Sequence, residues 1–314
     1  MSTAVVTDTT AYLPDELIDA HGIHRISLYV TLDGKQRPES EIGPGEYGDF
    51  YQRLRVSEQG ATTSQPSVGD FLALYEPLLA DGGEIVSIHL SSGISGTCDS
   101  AEQARAQLIE SGRGGERIKI LDSRTACGGQ AMLVLAAARA VAEGASGAEA
   151  LETASRARDG LELWFAVDTL EYLRKGGRIG AARALVGSAL HIKPILTLAE
   201  EITPVERVRT RRRAFERMVE FARELKNAGA SWWIVQHIQD PDTARALVDE
   251  CRQVFGTDPV MVSEIGPVIG AHVGPGLLGF GGARICRGRW RRFADGSPSS
   301  PTGADRCAST AGSW

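Results

Sequence analysis

Along the first half of the chain, short β-branched runs alternate with longer stretches of helical period. TAVVT at 3–7 predicts a strand, 14–20 a short helix opening near Pro14, and 23–31 a second strand turned at Asp33-Gly34. Helical spacing recurs over 47–54 and 68–79. EIVSIH at 84–89 reads as a compact buried strand leading into a helix over 95–110. RIKIL at 117–121 is another strand, and 130–142 an apolar, alanine-rich helix. Strands alternating with helices predict βαβ units, hence a mainly parallel sheet covered on both faces in a three-layer α/β arrangement.

From about residue 160 the rhythm changes. LELWFAV at 161–167 predicts a strand, and 170–175 a helical turn closed by Gly176-Gly177. Two adjoining strands are expected at 192–198 and 201–208, turned near Ala199-Glu200. The amphipathic stretch 211–227 predicts a long helix with Gly229 as C-cap. A strand at 231–238, a helix at 242–255 and a strand at 260–264 follow. Paired strands with two long helices predict an α+β domain with helices on a mixed sheet. We therefore expect an N-terminal α/β domain over 1–160, a C-terminal α+β domain over 161–283, and a disordered basic tail over 284–314.

Composition narrows the class. With 42% apolar and 24% charged residues the chain is neither collagen-like nor wholly disordered, and 314 residues fit two domains. A formal charge of −6 argues against a nucleic-acid binder. Beyond Ala283, six arginines face two aspartates, so the tail carries +4 and the body −10. Five cysteines without a CxxC pair predict buried reduced thiols, and six histidines without HxH or HxxxH spacing give no metal site. The N-terminus lacks the basic-then-apolar order of a secretory signal. The longest apolar run, 131–138, has eight residues where a bilayer needs about 20. These features predict a soluble cytoplasmic protein with no stable membrane insertion.

The candidate chemistry sits in four hydroxyl-rich turns: Asp8-Thr9-Thr10, Thr62 to Ser67 (TTSQPS), Ser91 to Thr97 (SSGISGT) and Asp122 to Thr125. Ligands of open α/β sheets bind beyond the carboxyl ends of the strands, where such turns converge; serine and threonine are also ordinary helix caps. SSGISGT joins a strand to a helix, so backbone N–H groups and the positive helix end point one way, which suits an anion. Only the turn containing Arg124 carries a cation, so a single carboxylate fits better than a multiply charged phosphate. Three competing uses remain on these residues. The turn Gly93-Ile94-Ser95-Gly96-Thr97 nearly makes a GxSxG elbow, which would give a serine hydrolase using Ser95 with His89 or His272 as base. A binding module for another small anion is the second alternative, and helix capping alone the third. No Walker loop occurs. In the second half, the glycine- and proline-rich segment 265–276 predicts a tightly turned loop around His272, a possible hydrogen-bond donor to a carboxylate. Five arginines between 207 and 213 form either a solvated face or a patch for an acidic partner.

Together Asp8-Thr9-Thr10, TTSQPS, HLSSGISGT at 89–97, KGGRI at 175–179, IKPIL at 192–196 and IGPVIGAHVGPG at 265–276 resemble, in order, the signatures of the DegV family. These are fatty-acid-binding subunits of bacterial fatty acid kinase. The resemblance implies one long-chain fatty acid, of C14 to C18, in a tunnel between the two domains, with no other cofactor and no catalysis by this chain. Carried over motif by motif, the carboxylate ligands are Thr63 and Ser95, with Ser92, Ser64 and Gly93 beside them, and His272 near the head group. It further implies an ATP-dependent kinase catalytic subunit as partner, forming an acyl phosphate for phospholipid synthesis, with Arg207 and Arg209 matching its docking surface. The family ends in a short apolar strand; here Phe280-Gly281-Gly282-Ala283 runs on into the arginine-rich tail, which leaves the last strand and the domain edge open.

Overall fold

The computed structural model describes residues 2–80, 82–186 and 192–284. Nearly all of the predicted tail therefore lies outside the described residues. β1 (Thr3–Asp8), α1 (Asp15–His21), β2 (Ile23–Ile26), β3 (Tyr29–Leu32) and β4 (Lys35–Pro38) open the chain. Next come α2 (Pro44–Val56), β5 (Thr62–Ser64), α3 (Val68–Leu79), β6 (Glu84–His89), α4 (Thr97–Glu110) and β7 (Ile118–Asp122). Helices α5 (Cys127–Ala142) and α6 (Gly147–Asp159) lead to β8 (Leu161–Ala166), α7 (Glu171–Lys175), β9 (Lys193–Leu198) and β10 (Ile202–Val208). The chain then runs through α8 (Arg211–Asn227), β11 (Trp232–His237), α9 (Pro241–Phe255), β12 (Met261–Glu264), α10 (Pro267–Val273) and β13 (Leu278–Ala283).

Four parallel strands, in order β2-β1-β6-β7, form the N-terminal sheet. One face packs on α3 and α4 through Phe71, Tyr75, Ala104 and Leu108. The other packs on α5 through Val5, Val86 and Ile88. The second large sheet, β10-β9-β8-β13-β11-β12, is mixed: only β11 and β12 run parallel. Its outer face is covered by α8 and α9, whose Phe221, Met218, Leu247 and Phe255 surround Trp233 and Phe280. A small antiparallel sheet, β4-β3-β5, stands apart.

The two large sheets meet on α5. Residues 127–138 of this helix are all buried, because the parallel sheet lies on one side and Ile234, Leu163 and Ala283 of the mixed sheet on the other. A helix apolar all round belongs in the interior, which explains the uninterrupted run at 131–138. Gly128 and Gly129 bring its first turn in close: a Cβ on Gly128 would overlap the Ile234 side chain, and one on Gly129 the Thr125 hydroxyl.

Several elements depart from the sequence reading. The strand foreseen over 23–31 is two strands in different sheets, broken at Ser27-Leu28, where the Leu28 N–H turns aside to Thr9 Oγ1. Helix α6 was not foreseen, because its buried stripe is Ala150, Ala154 and Ala157, too small to register as hydrophobic period. Its start was legible: Ser146 and Glu149 form a reciprocal capping box. The segment read as a loop around His272 contains α10, since Pro267 at the first helical position suits a helix start. β13 forms in full, and it lies inside the mixed sheet between β8 and β11, not at an edge.

The Asp8 turn serves the interior. Asp8 Oδ2 accepts from the Leu90 N–H at 3.1 Å, Gln130 Nε2 at 3.0 Å and His89 Nδ1 at 3.0 Å. His89 Nε2 in turn meets Ser87 Oγ at 2.7 Å, which accepts from the Tyr75 hydroxyl at 2.7 Å. All five side chains are buried, so the network ties the ends of β1 and β6 to α5. Replacing Asp8 by Ala strands these donors in the core and should cost about 3 to 5 kcal/mol. Urea unfolding of Asp8→Ala against the wild type measures it.

Candidate ligand-binding site

A cavity of about 400 Å³ opens between the small sheet, the start of α5, the inner face of the mixed sheet and α10. That size lies within the range of about 300–1,000 Å³ usual for small-molecule sites. Most of its wall is aliphatic, from residues such as Leu28, Leu90, Leu163, Leu198, Ile202 and Val268. The polar groups are few. Thr63, Ser64, Gln65, Ser95, Arg178 and His272 belong together, and Gln236 stands alone on the sheet.

β5 places Thr63 by pairing with β3, Thr63 opposite Val30. The hydroxyl of Thr63 lies 2.8 Å from His272 Nε2, so residues 209 positions apart meet at one point. His272 is carried on the last turn of α10, against Gly176: a Cβ on Gly176 would overlap its Nδ1. That Nδ1 is buried with no partner among the described residues. An unmet lone pair costs less than an unmet N–H, so the proton belongs on Nε2, which donates to Thr63 Oγ1. The hydroxyl proton of Thr63 is then free to point at a ligand. Burial, and secondarily the Arg178 charge, lower the His272 pKa to about 4, so the ring stays neutral at physiological pH.

Ser95 Oγ lies 2.9 Å from Thr97 Oγ1 and accepts from the Thr97 N–H at 3.3 Å. Among the described residues its side chain pairs with another hydroxyl; His89 is committed to the Asp8 network and His272 to Thr63. Neither His89 nor His272, the two histidines foreseen as base, is bonded to Ser95. Arg178 arrives from the Gly176-Gly177 turn, its guanidinium donating to the Ile94 carbonyl at 3.2 Å and the Gly176 carbonyl at 2.9 Å. Sequence reasoning missed this cation as a site residue, although the basic turn that carries it was visible.

Not every foreseen residue joins the site. Thr63, Ser64, Ser95 and His272 line the cavity; Ser92 and Gly93 do not. Ser92 turns outward, its hydroxyl donating to Asp122 Oδ2. Gly93 is a packing residue: a Cβ there would overlap the Glu200 carbonyl oxygen, so only glycine lets the 91–96 turn lie against the 199–200 turn. Of the four hydroxyl-rich turns, those at Asp8 and Asp122 are spent on internal bonds. The arginine cluster is largely self-neutralised: Arg211 pairs with Asp168 and Asp240, Arg212 with Glu216, and Arg213 with Glu216 and Glu220. Arg207 and Arg209 are exposed, with no ion pair among the described residues.

The start of α10 is anchored by the N-terminal half. Glu39 Oε1 accepts from the Val268 N–H at 2.8 Å and the Tyr12 hydroxyl at 2.9 Å, while Tyr51 donates to the Ile265 carbonyl at 2.7 Å. Burial is the main cause that pushes the Glu39 carboxyl up to about 7.

Comparison with known proteins sets this geometry in context. The family model described as "Uncharacterised protein, DegV family" matches residues 2–284. A DegV domain-containing protein of Streptomyces coelicolor is 39% identical over 280 residues, covering 88% of this chain and 96% of that one. Among solved structures, the fatty-acid-binding DegV protein of Bacillus subtilis is 34% identical with a TM-score of 0.80, covering 90% of this chain and 99% of its own. A DegV family protein of Thermus thermophilus, solved for its fatty acid binding, is 33% identical with a TM-score of 0.79, covering 91% and 100%.

Two expectations follow. Gly93→Ala forces the two turns apart and should destabilise the fold by about 1 to 3 kcal/mol, read by urea unfolding. Glu39 gives a pH signature. Between about 4.3 and about 7 the unfolded carboxyl releases its proton while the folded one keeps it, so stability contributed by Glu39 declines as pH rises. His272 acts oppositely, its contribution being lost as pH falls from about 6.5 towards about 4. Glu39→Gln keeps the acceptor and removes the titration. Its stability relative to wild type should rise by about 3 kcal/mol between about pH 4.5 and about pH 7.5, measured by thermal or urea unfolding across that range.

Proposed function

The chain belongs to the DegV family, and we propose that it binds one long-chain fatty acid in this cavity. In the same proposal it presents the carboxylate to a separate ATP-dependent kinase subunit, in the cytoplasm, for conversion to an acyl phosphate that feeds phospholipid synthesis. The observation that carries the reading is the division of the wall: aliphatic side chains along most of it, neutral donors with one arginine in a single cluster. The fatty-acid-binding relatives from Bacillus subtilis and Thermus thermophilus support it.

Thr63 and Ser95 donate hydroxyl protons to the carboxylate, Ser64 flanks them, and His272 holds the Thr63 hydroxyl in its donating orientation. Arg178 supplies the one full positive charge, from the exposed side of the cluster. Each methylene taken from water is worth roughly 0.8 kcal/mol, so the tail dominates affinity and the donors set the direction in which it lies. Arg207 and Arg209, on and just beyond the edge strand β10, form the docking surface for the kinase subunit. The proposed division of the chain, an N-terminal domain to about residue 160 and a C-terminal one from 161, leaves the ligand held by both.

Native mass spectrometry of the purified protein should show a fatty acid mass of C14 to C18; protein that stays empty after incubation with such acids overturns the reading. Thr63→Ala and Ser95→Ala should each weaken fatty acid binding by about 1.5 to 3 kcal/mol with little change in unfolding midpoint. Reversing the charge at Arg207 and Arg209 should leave fatty acid binding intact and lower acyl phosphate formation with the partner kinase.

A further inference from the structure

Glycine weakens the interior of a strand, and where it occurs it marks a bulge, a close approach of another backbone, or a close approach of a ligand. β13 carries three glycines and is paired along its whole length on both sides, with β8 and β11. Their surroundings differ. A Cβ on Gly282 would lie 3.0 Å from Leu225 Cδ1 and 3.3 Å from the Trp232 carbonyl oxygen, and one on Gly281 3.0 Å from Leu163 Cδ1. A Cβ on Gly279 would meet nothing nearer than 3.7 Å. The register through Gly279 is regular, with Phe165 opposite on β8 and Gln236 opposite on β11, so there is no bulge. With regular pairing and no backbone close by, a ligand's approach is the use of a strand glycine that fits this position, since Gly279 lines the cavity.

Gly279, Phe165 and Gln236 all line the cavity. Across three neighbouring strands they form one row, a missing side chain between two present ones, which makes a slot one strand wide. Gln236 is a fixed wall: its Oε1 accepts from the Gly128 N–H and its Nε2 donates to Ser263 Oγ at 2.9 Å. One residue pair further along β13 the slot is shut, because Leu163 stands over Gly281 with Ile234 beside it, and neither Gly281 nor Ile234 reaches the cavity. A side chain at Gly279 would meet no backbone strain, since its φ lies outside the left-handed region.

We infer that Gly279 sets the longest acyl chain this cavity accepts, its absent side chain leaving the slot where the methyl end of the chain comes to rest, an inference that builds on the fatty acid reading above. Leu163 is the stop. The test loads purified protein with an equimolar series of straight-chain saturated fatty acids and reads the bound lengths by mass spectrometry. Gly279→Val puts three side-chain carbons into the slot and should shift the preferred length down by about two to three carbons. Leu163→Ala opens the closed end and should shift it up by about two. Wild-type protein that takes up no fatty acid overturns this inference and the proposed function together. Wild-type protein that loads, with Gly279→Val equal to it in unfolding midpoint and in the lengths bound, overturns this inference alone. Should Gly279→Val not fold, Gly279→Ala and Leu163→Ala decide: unchanged lengths in both overturn it, and opposite shifts support it.

Discussion

Everything in this molecule is arranged around one helix that has no outer face. Over residues 127–138 α5 buries its whole circumference, with a sheet on each side, and the two large sheets are held together by sharing it. Buried apolar area is worth roughly 25 cal/mol per Å², and a helix covered on all sides collects that from both directions. The geometry has a consequence at the helix start. Gly128 and Gly129 let the first turn sit against the mixed sheet, but beyond Cys127 the chain turns away through Ala126 towards the parallel sheet. The layers part there, and the cavity occupies the gap, with Ala126 and Cys127 in its wall. Burial pushes the Cys127 thiol well above its ordinary pKa, so it stays a neutral apolar wall residue.

Under the proposed function the polar end of the cavity follows a second constraint: a carboxylate is to be recognised where a long apolar tail also has to enter. Charged side chains deep in the wall would have to be desolvated, which is costly without a partner. The structure keeps its one cluster cation, Arg178, exposed and tied to backbone carbonyls, and keeps His272 neutral by burying it. What faces the interior are hydroxyls and an imidazole, which lose far less on leaving water. Thr63 and His272 come from opposite ends of the chain, and their bond can form only if α10 is correctly seated. Tyr12, Glu39 and Tyr51 see to that seating from the N-terminal half.

The legible part of this architecture was whatever local chemistry announces. β1, β6, β8, β11, α3, α8 and α9 follow from apolar period and caps. α6 escaped because alanines at 150, 154 and 157 bury little area each, so the stripe that seats the helix barely registers as hydrophobic. The split of 23–31 escaped because β2 and β3 have one continuous apolar pattern but different partners, and partners are a tertiary fact. In the site, the motifs carried over from the family resemblance gave Thr63, Ser64 and Ser95, yet the same carry-over included Ser92, three positions from Ser95 in one motif. Only the fold turns Ser92 out to Asp122 while Ser95 faces in. Arg178 was not singled out because its turn is far along the chain from the Ile94 carbonyl that brings it to the site.

The same principle separates capture from attack. Ser87, His89 and Asp8 have the bonding order of a nucleophile, its base and an orienting acid, with Ser87 Oγ 2.7 Å from His89 Nε2 and His89 Nδ1 3.0 Å from Asp8. Nucleophilic catalysis requires that array to touch a substrate. All three side chains are sealed in the core, and the Ser87 hydroxyl is further occupied by Tyr75, so the array holds strands together. At the cavity the situation is reversed. Ser95 is accessible but bonded to Thr97, whose hydroxyl is no base, and the accessible histidine is turned to Thr63. Access and activation are assigned to different residues among those described, and under the proposed function the hydroxyls of Thr63 and Ser95 serve as donors that hold a carboxylate.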